Sequence, residues 1–596
     1  MALEKQFIPT DPIVEQVLDK TNRLVVPRFQ RVYSWKEENL SEFYEDFLAS
    51  SGNVRQSFLG TLVFDASNPD FKGVIDGQQR VITLTIVFAA LRDLLREEIQ
   101  SPMAYELAGT LQNEHIQAGS SIRQRPSGTA ESGGSVYIFT AEKSMREFFE
   151  HFISKGDADL RKAIKPNNEG ERNVYNAYTY LRNRLAKEKL SAKTDADGKV
   201  VILRKLAESI LGVQFVLINV YNSEMAYALF ESHNSKGADL LVSDLVKSHF
   251  YGQLKGPEEI KERRIKQWDN SVRRLKDGAG IKIDKFLHYY QQSYEGKFTK
   301  AQLYAKLKVS IGKDEASAVK FIKDLETNVE LLLQLKAGEI DSSTDYYIPY
   351  ESKEKINASL TYISEFRVDQ CYILLLSIFR NRNKFTPTYL KKIVELIENF
   401  TFVYSKISKG QANVLERVYA SLAHEIDEED SGDSDKEREI FSGKKYSKLR
   451  SLLYDEVRYD YFEPKFKDLD YTKPQQKKLI QYTFAKIEYY LNKGGSVLGI
   501  DSNLDHISAQ NPQSGVRLSK LHTIGNLVPI DKISNSILGN KAIDEKMEVY
   551  KSIHNISLVR NTVEFLEKHD YNFDDLAIDE RSSELADLAY NNVWKL

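Results

Sequence analysis

Cysteine is almost missing from this sequence: one residue, Cys371, in 596. A single thiol cannot build an internal disulfide framework or a Cys-rich zinc site, so a reducing, cytoplasmic setting is expected. Long apolar runs are also missing. A membrane-spanning helix needs about 18 consecutive apolar residues, and "CYILLLSIF" reaches about half of that. The first residues, "MALEKQFIPTD", carry no apolar signal core. No charge of one sign dominates: 83 Lys and Arg face 86 Asp and Glu, for a net charge of −3. Any nucleic-acid surface must therefore be a local patch. A Walker A loop, G-x-x-x-x-G-K-[ST], does not occur.

What is present is an ordinary globular composition, 41% hydrophobic and 28% charged, in a chain long enough for several domains. The pattern predicts an α+β multidomain protein. Residues 1–255 mix strands and helices: "SFLGTLVF", "KGVID" and "ILGVQFVLINVYN" read as strands. After "VIDG" the period changes, with Leu84, Val87, Phe88, Leu91, Leu94 and Leu95 at helical spacing, so a strand–turn–helix unit is expected. The Ser/Gly-rich stretch 117–135 reads as a loop. Residues 256–425 read as a helical middle region, poor in Gly and Pro. The acidic stretch 426–439 reads as a linker. Residues 440–596 read as a mostly helical domain with a short β segment. Three basic patches stand out, at 261–276, 442–450 and 473–478 (the last "KPQQKK"), though such a patch is more often a solvated helix face.

Two constellations carry chemistry. Near the C-terminus, "NLDHISAQNP" places Asp505 and His506 at the end of an extended run. Further on come Asn526 in "IGNLVPID" and Asn535 at the start of a helix. A strand with Asp-His, a second strand with Asn and a helix with Asn make a ββα-metal arrangement. Phosphodiester hydrolysis needs an attacking water, a base and a cation beside the leaving oxygen. His506 can be the base. Asp505, on the opposite strand face, can hold Mg²⁺ or Mn²⁺ with Asn535, while Asn526 suits a loop brace. Taken alone, Asp-His belongs far more often to a plain loop than to a catalytic site. Near the N-terminus, "IDGQQR" ends a strand and opens a helix. Gly77 permits the turn, the helix N–H groups favour an anion, Arg80 can fork onto a phosphate, and Asp76 can hold a cation or a water. Gln78 and Gln79 can read a base or a phosphate oxygen. The plain alternative is a capped turn with a solvated Arg.

Both ends resemble GmrSD-like proteins. "LDHISAQNP" followed by "LHTIGNLVPIDKISNSILGNKAIDEK" is similar to their C-terminal HNH-type nuclease domain, through Asp505-His506-Ile507, Gly525-Asn526-Leu527, Asn535, Asn540 and Lys546. The departure lies after the histidine, where Pro512 comes late. "VPRFQRVYSW", "FLGTLVF" and "VIDGQQRVITL" resemble the family's N-terminal ParB/sulfiredoxin-like domain with its DGQQR motif; Ile82 stands where a Thr is usual. "FESHNSKGADLLVSDLVKS" resembles another segment of that domain, through Asn234, Lys236, Gly237, Asp244 and Lys247. On this resemblance Gln30, Arg31, Asn234 and Lys236 join Asp76 to Arg80 as nucleotide-binding residues.

The resemblance implies a type IV, modification-dependent restriction enzyme of phage defence. A nucleoside triphosphate, hydrolysed by the N-terminal domain, would gate an HNH endonuclease acting on modified phage DNA. Family members differ in target, some acting on glucosylated hydroxymethylcytosine and others responding to phosphorothioate backbones. No membrane partner is expected, and a homo-oligomer is compatible with the sequence. Two other readings stand beside it: a nucleotide-dependent DNA-binding regulator with a weak or lost nuclease, and an RNA-directed HNH toxin. An aromatic cage for a flipped base would need Trp or Tyr facing a cleft; among 33 Tyr none stands out, and Trp35 reads as packing.

Overall fold

The computed structural model describes residues 7–19, 22, 24–26, 30, 32–47, 58–69, 71–98, 101–116, 139–140, 148–154, 161, 164–191, 195–221, 241–256, 258–341, 346–494, 502–510 and 518–596. The fold is mostly helical, with a small mixed sheet near the N-terminus. The chain divides into two compact units. One comprises residues 1–270 and 304–323, the other 271–303 and 324–596.

The first unit holds a six-stranded sheet: β1 (Phe7–Thr10), β2 (Leu24–Val26), β3 (Phe58–Asp65), β4 (Lys72–Asp76), β5 (Phe139–Thr140) and β6 (Gln214–Val220), in the order β1-β6-β3-β4-β2-β5. β1–β6 and β3–β4 are antiparallel, and the other pairs are parallel. The expected change of period after "VIDG" is a real boundary: β4 ends at Asp76 and helix α1 spans Gln78–Arg96. Gly77 between them has φ +87°, and a Cβ there would lie 2.1 Å from Leu62 Cδ2, so only glycine fits. The helix is wrapped on all sides rather than amphipathic, buried nearly throughout from Gln78 to Leu95. Its polar groups are therefore paired inside. Thr83 Oγ1 donates to Gln79 O at 2.8 Å, and Arg92 donates to Asp93 (2.8 Å), Ser154 O (2.8 Å) and Ile153 O (3.0 Å). Helix α2 (Glu169–Ser191) packs along α1. Its Tyr178 hydroxyl donates to Asp93 at 2.8 Å, and Arg161 bridges Asp93 and Tyr178, each at 2.6 Å.

In the second unit the helical middle and the C-terminal residues share a core. Phe366, Phe402, Val403 and Ile407 lie in one buried cluster with Phe462, Tyr482, Leu527, Val528 and Trp594. Trp594 stacks on Phe402 at 4.2 Å. The acidic stretch read as a linker joins two helices of this same unit, Ala412–Glu428 and Asp435–Tyr454. Ser434 forms a capping box with Glu437. Glu425 and Glu429 serve as counter-ions for Lys444, Lys448 and the fully buried Lys445. Within the stretch, Glu429 is thus engaged in ion pairs with the helix that follows. The unit's only strands among the described residues are β7 (Asn503–His506) and β8 (Leu527–Ile530), an antiparallel pair with Asp505 opposite Val528 and His506 opposite Leu527. Around them lie α3 (Pro474–Leu491), α4 (Lys532–Leu538), α5 (Ile543–Ser552) and α6 (Asp575–Leu588).

Candidate functional site

Strand β7 sends Asp505 and His506 to opposite sides, as neighbouring strand residues must go. The Asp505 carboxylate, 5% exposed, meets helix α5: Lys546 Nζ donates to Oδ1 at 3.1 Å and to Oδ2 at 2.9 Å, and the Tyr550 hydroxyl also donates to Oδ2. Lys546 is fully buried and also donates to the His506 carbonyl. Burial pushes the Asp505 carboxyl up and the Lys546 ammonium down, and their contact opposes both shifts. Lys546 and Tyr550 reach one carboxylate because they stand one turn apart on α5.

His506 is 8% exposed. Its ring is held by two perpendicular rings, Tyr471 at 5.2 Å and His522 at 5.5 Å between centroids. His522 Nδ1 lies 3.4 Å and Gln510 Nε2 3.1 Å from His506 Nε2. Burial first, then His522 and Lys546, lower its pKa to about 4. The imidazole is therefore neutral at neutral pH, with a lone pair able to accept a proton.

Asn526 is fully buried and ties the loop after His506 to the turn before β8. Its Nδ2 donates to Leu521 O at 2.7 Å and Ser508 O at 3.1 Å, and its Oδ1 accepts from Ser508 N at 2.8 Å. Gly525 beside it is needed for close approach: a Cβ would lie 2.1 Å from Ser582 Oγ and 2.3 Å from Ile578 O on α6. The buried Arg581, also on α6, donates to Gly525 O at 2.6 Å and Leu527 O at 2.9 Å. Burial lowers its pKa to about 10, still well above neutrality. Asn535 lies half-buried on α4, which is capped by Asp531 and packs against β7. The order strand, strand, helix thus brings Asp505, His506 and Asn526 together and sets the helix bearing Asn535 alongside.

In the first unit Asp76 closes β4, and its Oδ1 accepts from Gly77 N at 2.7 Å. The Gln79 amide is spent on backbone, accepting from Ser34 N at 2.9 Å and donating to Val32 O at 3.4 Å, and Gln30 Nε2 donates to Ile75 O at 2.6 Å. These bonds pin the "QRVYSW" segment against the strand–helix turn. Gln78 is buried beside them. Arg80 is half-exposed in the first turn of α1, its Nη1 3.4 Å from Thr61 O and its guanidinium against Gly60. Ile82 is buried in the core, and Trp35 packs edge-on to Phe43 at 5.5 Å. Arg31, Asn234 and Lys236 lie outside the described residues, as do Gly237 and Pro512.

Two family matches cover more than half of the chain: "GmrSD restriction endonuclease, N-terminal domain" over residues 14–251 and "GmrSD restriction endonucleases, C-terminal domain" over residues 456–588. The chain belongs to the GmrSD restriction endonuclease family. No curated protein matches it significantly. GmrSD membership makes it a type IV restriction endonuclease by family, with DNA as the implied substrate. In this GmrSD chain the N-terminal match contains the "DGQQR" turn, and the C-terminal match contains β7, β8 and all the side chains around Asp505 and His506. Among the described residues no helix is long and apolar enough to cross a membrane.

Among the described residues no three His, Cys, Asp or Glu side chains converge as a metal cluster. The donor chemistry at hand is all oxygen, as a hard cation that brings its own waters would need: the Asp505 carboxylate, already bonded by Lys546 and Tyr550, and the Asn535 amide on a helix packed against β7. Sequence reasoning missed Tyr550, His522, Tyr471 and Arg581. The spacing of Lys546 and Tyr550 in "KMEVY" was a usable signal; the others are brought in by tertiary packing alone.

Proposed function

We propose that this GmrSD-family chain is a nucleoside-triphosphate-regulated endonuclease for modified DNA, cutting at Asp505-His506 in the manner of an HNH nuclease. The observation that carries the reading is the neutral, ring-clamped imidazole of His506 at the end of β7, back to back with an acid. His506 would take the proton from the attacking water. Without substrate its proton affinity is low, and an approaching phosphodiester anion raises it toward neutrality. Asn526 fixes the loop that carries the base's exit, so the imidazole is preorganised. Asp505 and Asn535 would hold Mg²⁺ or Mn²⁺. Such an ion, when bound, stabilises charge developing on the phosphate and the leaving oxygen. Lys546 and Tyr550 orient the carboxylate for that task.

In the N-terminal unit, Gly77 and the first turn of α1 present N–H groups and Arg80 to a triphosphate, with Asp76 at the strand end. Triphosphate binding would bias a two-state equilibrium that licenses cleavage. The target is modified phage DNA, glucosylated hydroxymethylcytosine or a phosphorothioate backbone. The test is cleavage of such DNA with and without each triphosphate, in wild type and Arg80→Ala. Nucleotide-dependent cutting that becomes nucleotide-independent or is lost in the variant supports the gate; identical nucleotide dependence refutes it. A non-cleaving regulator is favoured by one observation, the Lys546–Asp505 pair that already neutralises the acid. Intact triphosphate hydrolysis with no cutting of any DNA would select that reading.

A further inference from the structure

Of the basic patches, the one at 473–478 adjoins His506. The loop Asp470–Lys473 is tightly organised: Asp470 Oδ1 accepts from Thr472 N at 2.8 Å and Thr472 Oγ1 at 2.6 Å, and Gln476 Oε1 accepts from Asp470 N at 2.8 Å. The loop is stitched to the segment before β8 by the Asp470–Thr523 bridge and by Tyr471 N donating to His522 O at 2.9 Å. Tyr471 thereby sets its ring edge against His506, and Lys477 Nζ lies over that same ring at 4.6 Å. With the two rings 5.2 Å apart, this ammonium is at most about 10 Å from the imidazole, a few nucleotide steps along a strand at about 3.4 Å rise each. Among the described residues neither Lys477 nor Lys478 has a carboxylate partner, and Lys473 is 63% exposed with only a 3.6 Å contact to Asp470. The patch at 442–450 differs, because Lys444, Lys445 and Lys448 are consumed by Glu425 and Glu429.

We infer that Tyr471, Lys473, Lys477 and Lys478 form a phosphate grip that holds the DNA strand beside the bond presented to His506. The inference rests on the nuclease reading of that site and deepens it. Lys477 and Lys478, without carboxylate partners, lose no ion pair when a phosphate arrives, and Lys473 gives up only its 3.6 Å contact to Asp470. The tyrosine serves as a rigid link, so strand position and imidazole position are set by one side chain.

The test uses the full-length chain in a His506→Ala background, which stops cutting. Affinity for a short labelled DNA duplex, unmodified or glucosylated, is measured at salt concentrations between about 50 and 200 mM. Each lost phosphate contact lowers the slope of log K against log salt by about 0.9. Lys477→Gln/Lys478→Gln should lower it by one to two such steps, and Lys444→Gln/Lys448→Gln on the neutralised patch should leave it unchanged. Thermal melting checks that both fold as the parent does. An unchanged slope in Lys477→Gln/Lys478→Gln overturns the grip. So does a fall seen with an RNA duplex and not with DNA. Wild-type cutting alongside an unchanged slope removes the grip and keeps the nuclease reading; a lowered slope alongside a wild type that never cuts removes the nuclease reading and keeps the grip.

Discussion

Lys546→Met is the substitution that most sharply probes how the site is held. Asp505 is 5% exposed and Lys546 fully buried, so methionine leaves a carboxylate in the core with no charged partner, only the Tyr550 hydroxyl and the backbone. Breaking a buried pair from one side costs about 3–5 kcal/mol. The penalty depends on pH, with a defined sign. Without Lys546 the folded-state pKa of Asp505 rises further above its unfolded value. A proton then stabilises the folded variant at acid pH, and that stability is lost as pH rises through the folded pKa. The deficit against wild type should be largest near neutrality and shrink toward acid. Asp505→Asn/Lys546→Met removes both charges and should recover about 2 kcal/mol or more of the loss as coupling energy. The assay is urea unfolding read by Trp594, which lies in the same core, with Trp35 and Trp268 of the other unit replaced by Phe. A single-variant loss under about 1 kcal/mol, or a double variant no more stable than the single, would show that Lys546 does not hold the buried Asp505 carboxylate.

Three further outcomes follow from the same geometry. His506, lowered from 6.5 to about 4, binds its proton in the unfolded chain first, so stability present above pH 6.5 should fall by about 3 kcal/mol toward pH 4; a stability-versus-pH slope identical to that of His506→Ala across this window would contradict it. Asn526→Ala leaves Ser508 N, Ser508 O and Leu521 O without their partner, which should cost about 2–3 kcal/mol and depress cleavage more than DNA binding, as urea titration and a binding isotherm would show. Gly77→Ala forces a Cβ onto φ +87° and into Leu62, which should cost about 2 kcal/mol or more in unfolding followed by Trp35 and Trp268.

The parts of the fold carried by local signals were legible in the sequence. The period change at "VIDG", the strand around "QFVLINV" and the helix over "QYTFAKIEYYL" all stand near where the patterning puts them. So does the strand–strand–helix order around Asp505, because it is written in consecutive short motifs. Long-range packing was not legible. Nothing local says that Phe366 and Phe402 share a core with Trp594, or that Glu425 and Glu429 are counter-ions for a buried lysine. At the site the adjacent pair was visible, but Tyr471 and His522 are brought against His506 by a β-bridge between distant loops. Gln79 shows the converse: a polar side chain that suits a ligand on paper is used to pin backbone.

The role proposed for His506 is that of the base of a DNA-cutting site. Its most direct test is single-turnover cleavage of glucosylated, phosphorothioated and unmodified DNA with Mg²⁺ or Mn²⁺ and a triphosphate, comparing wild type with a folded His506→Ala. Cutting of a modified substrate should disappear in the variant while DNA binding persists. Equal cutting by both proteins would contradict it.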